Sequence, residues 1–432
     1  MLEKIFSLKK HGTTVQTEIV AGITTFLAMA YIVFVNPNIL GTTGMDKGAV
    51  IVATCVAAAI GCFIMAFWAN WPIGMAPGMG LNAFFAFSVV AGMGWPWQAA
   101  LGAVFVSGCV FVLLTITGLR RWIVEAIPAS LQVAIPAGIG LFLALIALKS
   151  SGIVAKSDAT FVTLGDLHAP AAILAVLGFF IIASLDFLKI KGAILIGILS
   201  ITVISMLLGY TSFHGLVAAP PDITPTLLKL DIAAALEKGL FNVVLVFVLV
   251  EIFDATGVLT GLAKRANLIG GEKGNAGINR ALFADSASIL SGSLLGTSST
   301  TAYVESMAGI QSGGRTGLTA FVIGVLFLLS LFFSPLIDTV PPYATAPALV
   351  YVAGLMLSEL SHIKWTDVTD AAPAALTALA MPFTYSIANG LAFGFISYTT
   401  LKLVTGQYKQ VHPAAWVIAI LFLIRFIWLS GH

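Results

Sequence analysis

Apolar runs recur along the whole chain between short polar or Pro/Gly-rich gaps, at 19–36, 49–69, 81–93, 97–118, 131–148, 170–187, 192–210 and 239–262. They continue at 281–295, 299–310, 317–337, 345–358, 371–386, 387–404 and 414–429. A spanning helix needs roughly 20 mostly apolar residues, so this pattern predicts an all-α polytopic membrane protein. Several runs, 81–93 and 299–310 among them, are too short to span as complete helices. The last run leaves three readings open: a spanning helix, an interfacial one, or the true end of the bundle. The longest polar connection, Thr211 to Lys238, divides the chain near its middle, with seven runs before it.

Each half holds a Gly-rich interruption between short apolar runs. The first is Gly74-Met-Ala-Pro-Gly-Met-Gly80-Leu-Asn82, and the second is Ser291-Gly-Ser-Leu-Leu-Gly-Thr-Ser-Ser-Thr-Thr301-Ala-Tyr-Val-Glu305. After seven crossings the second half enters from the opposite side, which is the arrangement of an inverted repeat, and discontinuous helices in matching places predict a binding site near the midplane. The plainer reading of such glycines is close helix packing. Their recurrence at matching positions favours the site.

Composition excludes a water-soluble globule: 59% of the 432 residues are hydrophobic and 9% charged, with a mean hydropathy of +1.03. No separate soluble domain fits, and a net charge of +2 implies no nucleic-acid partner. Lys4, Lys9 and Lys10 precede the first run without a small-residue cleavage pattern, so that run is expected to stay in the mature protein. With the N-terminus placed inside, thirteen Lys and Arg fall in cytoplasmic gaps, Arg120, Arg121 and Lys273 among them, against five outside, Lys238 included. Cys55, Cys62 and Cys109 lie in apolar runs without CxxC spacing and are read as packing residues. All six histidines, up to His432, fall in gaps or at span ends. No HExxH or histidine constellation supports an enzyme, and no cofactor or metal is expected.

Glu251, Asp254, Asp285 and Glu305 fall within or beside apolar runs. A charge at the bilayer centre costs about 2.5–3.5 kcal/mol on insertion scales, so each needs a partner or a task. Glu251 and Asp254 are three residues apart and share one helix face, with no Lys or Arg in the same run beside them. Low dielectric and a like-charged neighbour both penalise the ionised form, leaving at least one of the two able to take a proton near neutral pH. Glu305 follows the second break, where the N–H groups opening a half-helix can hold a polar ligand. Asp285, near Asn279 and Arg280, reads as structural or gating. Asn82 offers a donor and an acceptor, as does the edge of a heterocyclic base. Phe84 and Phe85 could stack on such a ring, although ordinary packing is the commoner role.

Glu18-Ile-Val-Ala-Gly-Ile-Thr-Thr-Phe-Leu-Ala-Met-Ala-Tyr-Ile-Val-Phe-Val-Asn-Pro37, Pro77-Gly-Met-Gly-Leu-Asn-Ala-Phe-Phe-Ala-Phe87, Glu251-Ile-Phe-Asp-Ala-Thr-Gly257 and Gly296-Thr-Ser-Ser-Thr-Thr-Ala-Tyr-Val-Glu-Ser306 carry a resemblance. They resemble the purine permeases of the AzgA-like branch of the nucleobase cation symporter-2 (nucleobase-ascorbate transporter) family. Gly313-Gly-Arg-Thr-Gly-Leu-Thr319 and Met381-Pro-Phe-Thr-Tyr-Ser386 continue the match, which covers essentially the whole chain.

The resemblance implies about fourteen transmembrane segments in two inverted seven-segment repeats, two discontinuous helices with short extended stretches, and core and gate domains. The core would be 13–118 with 236–338, and the gate 119–235 with 339–432. An elevator-like movement of the core would carry the site across. A purine base would sit between the breaks at Gly80, Leu81 and Asn82 and at Val304 and Glu305, held by Glu251, with Asp254 the neighbour for proton coupling alongside Glu251 and Glu305. The repeats would end near Gly209 and Gly406, making 414–429 an addition.

Members of the branch differ in the base they carry, and some adenine carriers resembling this chain have an amide where it has Glu251. A carboxylate matches the adjacent N–H donors of guanine or the N1–H of hypoxanthine, which favours those bases and leaves adenine open. The expected partners are a purine base, protons and the lipid bilayer, with a homodimer allowed. The expected location is the inner (cytoplasmic) membrane. The alternative is an anion channel or exchanger on the same architecture, against which three acids at the site argue.

Overall fold

The computed structural model describes residues 2–120, 123, 127–239, 243–266, 268 and 271–429. Arg121 and His432, and the side chains of Lys238 and Lys273, lie outside the described residues. Among the described residues, nine helices are long and apolar enough to cross a membrane, beginning with Val15–Gly41 and Lys47–Ala69. Shorter apolar helices occupy Met79–Gly92, Ala193–Leu207, Val368–Phe383 and Pro413–Ile427. Some helices begin where a short polar side chain accepts a terminal N–H. Thr14 accepts from Thr17 N, Asp46 from Ala49 N and Ser386 from Asn389 N.

The helices fall into two groups. In one, Gly317–Ser330 packs on Val15–Met29 and Lys47–Ile64, while Gly271–Leu295 packs on Lys47–Ile64 and Trp97–Ile116. In the other, Ala129–Ser150 packs on Pro342–Leu357 and Val368–Phe383, and Pro342–Leu357 on Pro170–Phe187. Ala129–Ser150 is also where the groups meet, touching Leu245–Arg265 and Met79–Ala83. Pro170–Phe187 turns Ile173, Val176, Leu177 and Phe180 outward, an apolar face suited to lipid.

Close approach of backbones decides several glycines of the first group. A Cβ on Gly317 would collide with the backbone of Ala66, and one on Gly102 with that of Asp231. The long mid-chain connection is laid across this group: Leu228 N donates to Leu294 O at 2.8 Å and Asp231 N to Gln98 O at 2.9 Å. The last run forms the helix Pro413–Leu429, packed against Ile387–Val404. Within it Arg425 is buried and donates from Nη1 to Asn389 Oδ1 at 3.3 Å.

The two Gly-rich breaks meet. Met75–Pro77 and Thr300–Ala302 form an antiparallel pair with Met75 opposite Ala302, Ala76 opposite Thr301 and Pro77 opposite Thr300. Each strand leads into a short helix, Met79–Ala83 on one side and Ser306–Gln311 on the other. The first continues as a π-helical stretch over Phe84–Gly92. Unwound backbone inside a membrane must satisfy its own polar groups, and this ladder does so for both breaks at once. Flanking bonds extend it, from Gly78 N to Ser299 O at 2.8 Å and from Tyr303 N to Gly74 O at 3.0 Å.

Candidate functional site

Side chains fasten the breaks to their surroundings. Asn36 donates from Nδ2 to Thr54 Oγ1 at 2.8 Å and to Thr297 Oγ1 at 2.9 Å, tying the first two segments to the second break. Tyr303 Oη donates to Pro77 O at 2.6 Å, and Gly74 N to Ser306 Oγ at 2.9 Å. Asn82 is fully buried and bridges the breaks, its Oδ1 accepting from Ser298 Oγ. Its Nδ2 has no hydrogen-bond partner among the described residues.

Glu251 sits in the middle of Leu245–Arg265, fully buried. Ser107 Oγ donates to its Oε1 at 3.3 Å, and the Ser299 hydroxyl of the second break stands beside the carboxylate as a further side-chain partner. A buried carboxylate oxygen with a free lone pair is a strong acceptor for an N–H donor. Asp254 lies one turn further on, half-buried and within electrostatic reach of Asp285 and Glu305. Glu305 immediately precedes the second half-helix and accepts from Tyr31 Oη at 2.7 Å. Val304 is 60% exposed at the tip of the break, which opens the site on that side. Among the described residues, a Cβ on Gly257 or Gly261 would meet nothing within 4 Å, so the face from Asp254 through these glycines towards Lys264 is open to that extent.

The structure thus gathers Asn82, Glu251, Asp254, Val304 and Glu305 around the paired breaks, with Leu81 buried beside Asn82. Phe84 and Phe85 are fully buried, and Phe84 packs edge-on to Phe247 with ring centroids 4.9 Å apart, which is the packing role. Gly80 faces the other helix group: a Cβ there would stand 2.8 Å from Ile139 Cγ2. Asp285 is held from elsewhere than Asn279 and Arg280, which are exposed. Its ion partner is Arg120, 3.6 Å away.

Arg120 corrects the reading of the charges, since it is 1% exposed rather than lying in a polar gap. Sequence reasoning also left Ser107, Tyr31 and Asn36 out of the site. For Tyr31 and Asn36 a signal was present, two polar side chains within an apolar run. Ser107 carried none, because a lone serine in a membrane helix commonly bonds to its own backbone.

Residues 16–393 match the permease family. The chain belongs to that family. This membership is that of the nucleobase-ascorbate transporters, as the motifs of the two breaks imply, and the protein is a permease rather than an enzyme. Adenine permease AdeP of Escherichia coli is 47% identical over 433 residues, covering 100% of this chain and 97% of its own. Guanine/hypoxanthine permease PbuO of Bacillus subtilis is 43% identical over 429 residues, covering 98% and 99%. Among solved structures, the transmembrane domain of a cyanobacterium bicarbonate transporter, BicA, aligns with a TM-score of 0.65 at 17% identity, covering 85% of this chain and 96% of that one. That likeness concerns the fold: the permease has two inverted repeats arranged as core and gate, with two discontinuous helices. AdeP aligns with 100% of this chain, so its match includes the stretch that forms the Pro413–Leu429 helix here.

The Gly80–Ile139 contact gives a first prediction. Gly80→Val should lower uptake at least about tenfold at an unchanged membrane level, by jamming the break against Ile139. Adding Ile139→Ala should restore part of it. Uptake per fluorescently tagged molecule measures both, and no recovery in the double variant would show that the glycine matters for another reason.

Proposed function

We propose that this permease takes up purine nucleobases together with protons, through an elevator-type movement of a core formed by 13–118 and 236–338 against a gate formed by 119–235 and 339–432. One observation carries the reading: the two broken helices pair through their strands and face the buried Glu251, whose carboxylate stands beside Ser299 of the second break. Relatives covering the full length carry adenine in one case and guanine and hypoxanthine in another, which supports a purine base as cargo. The base lies between Gly80, Leu81 and Asn82 on one break and Val304 and Glu305 on the other, and donates an N–H to Glu251. The carboxylate favours guanine and hypoxanthine, with adenine the competitor to be measured beside them.

Glu251, Asp254 and Glu305 take the proton. An empty, fully ionised cluster is costly to move through a low-dielectric interior, and a proton with a base bound lowers that cost. The membrane is the inner membrane, with the N-terminus cytoplasmic, and the open face towards Lys264 is then the cytoplasmic exit. The fold shared with a bicarbonate transporter does not extend to the cargo, since the three acids Glu251, Asp254 and Glu305 repel an anion.

Uptake of radiolabelled guanine, hypoxanthine and adenine into cells lacking their own carriers tests the reading. Accumulation of at least one base is expected, abolished by a protonophore and indifferent to the removal of sodium. Uptake equal to that of empty vector for all three bases would defeat the assignment, and dependence on sodium instead would defeat the proton.

A further inference from the structure

Arg120 has no part in the mechanism above, yet it is buried at its centre. Gly118, with a left-handed φ of 74°, turns the chain at the end of Trp97–Ile116 so that Arg120 folds back into the core. Its guanidinium lies 4.0 Å from the centroid of the Phe111 ring. Nε donates to Thr256 Oγ1 at 3.0 Å, and Nη1 to Leu282 O at 3.3 Å. Nη2 stands 3.6 Å from Asp285 Oδ2, and neither of these two atoms has a hydrogen-bond partner among the described residues. The other oxygen of Asp285 accepts from Thr301 Oγ1 at 3.1 Å and Ala302 N at 3.3 Å. Ala302 is the residue that pairs with Met75 across the breaks. One arginine therefore joins three helices, Trp97–Ile116, Leu245–Arg265 and Gly271–Leu295, to the strand that leads into Glu305.

We propose that Arg120 is a positioning residue of the transport site: its fixed charge keeps Asp285 ionised, and the ionised Asp285 holds the second break in register against the first. Bonds to a charged acceptor are roughly twice as strong as neutral ones, so Asp285 grips Thr301 and Ala302 best as a carboxylate. Without a cation beside it, a carboxylate this deeply buried neutralises instead. Removing one member of a buried pair is strongly destabilising, whereas replacing both is often neutral. The planar guanidinium serves Thr256, Leu282 and Asp285 at once, a task an ammonium cannot reproduce. This inference rests on reading the paired breaks as the transport site.

The test compares R120M, D285N, the double variant R120M/D285N and R120K for purine uptake per molecule in the membrane. R120M is expected to lose at least about tenfold. R120M/D285N is expected to regain at least about threefold over R120M, because the amide oxygen still accepts from Thr301 and Ala302 and no unpaired charge is left. R120K, which keeps the charge, should exceed R120M. A role confined to packing on Phe111 predicts a double variant no better than R120M, and that result would overturn the proposal, as would wild-type uptake by R120M. If R120M fails to reach the membrane, melting temperatures of purified R120Q, D285N and R120Q/D285N decide: a double variant more stable than R120Q supports coupling, and additive losses refute it. The melting cycle does not depend on the cargo. Wild-type protein that takes up no purine would end the transport reading and leave the cycle to judge this one.

Discussion

Glu251→Gln is expected to reduce purine accumulation at least about thirtyfold, the equivalent of about 2 kcal/mol for one charge-assisted hydrogen bond. The protein should still reach the membrane, because the hydroxyls beside the carboxylate, Ser107 and Ser299, can also donate to an amide oxygen. What the amide cannot do is exchange a proton. Base-for-base counterflow should therefore suffer less than net accumulation against a gradient, and comparing the two assays separates binding from coupling. Accumulation at the wild-type level in Glu251→Gln would remove the residue from the site.

Glu18→Ala should have an equally large effect of another kind. Glu18 is fully buried in Val15–Met29, and its carboxylate takes Arg315 N at 2.8 Å, Thr316 N at 3.3 Å, Thr319 N at 3.2 Å and Thr319 Oγ1 at 2.6 Å. These donors open the helix Gly317–Ser330, so a carboxylate from the first half caps a helix of the second. Alanine strands the N–H groups of Arg315 and Thr316, while Thr319 N keeps Thr316 O at 3.2 Å, at a cost of about 2 kcal/mol or more. The expected readout is a marked fall in melting temperature and membrane level, with uptake per surviving molecule affected less. Glu18→Gln, keeping one oxygen, should fall between. An unchanged melting temperature in Glu18→Ala would show that the cap is dispensable.

These two glutamates mark how far the sequence could be read. Hydropathy located the spans because each must be apolar over its length, and the glycines at 74–80 and 292–296 located the breaks because unwound backbone needs them. Position within apolar runs singled out Glu251, Asp254 and Glu305 as acids without local partners. Glu18, at the edge of a run and near a terminus, looked like any acid in a gap, since its four donors come from residues about three hundred positions away. Arg120 was misread for the same reason: a basic residue after a span ordinarily faces water, and the partners that keep it inside, Asp285, Thr256, Leu282 and Phe111, are brought to it by the fold. Periodicity reports what a residue's own helix requires and is silent about pairs brought together by the fold.

The ladder between the breaks also sets an order of events during synthesis. Pro77 receives its bond from Tyr303, 226 positions later. At usual translation rates its partner emerges on the order of tens of seconds after the first strand has entered the bilayer. Until then the backbone of Met75–Pro77 has no mate, a state tolerated only where water or the insertion machinery stands beside it. The permease is thus completed by its second half rather than assembled from two finished ones, and the paired breaks, the proposed place for the cargo, are among the last parts to form.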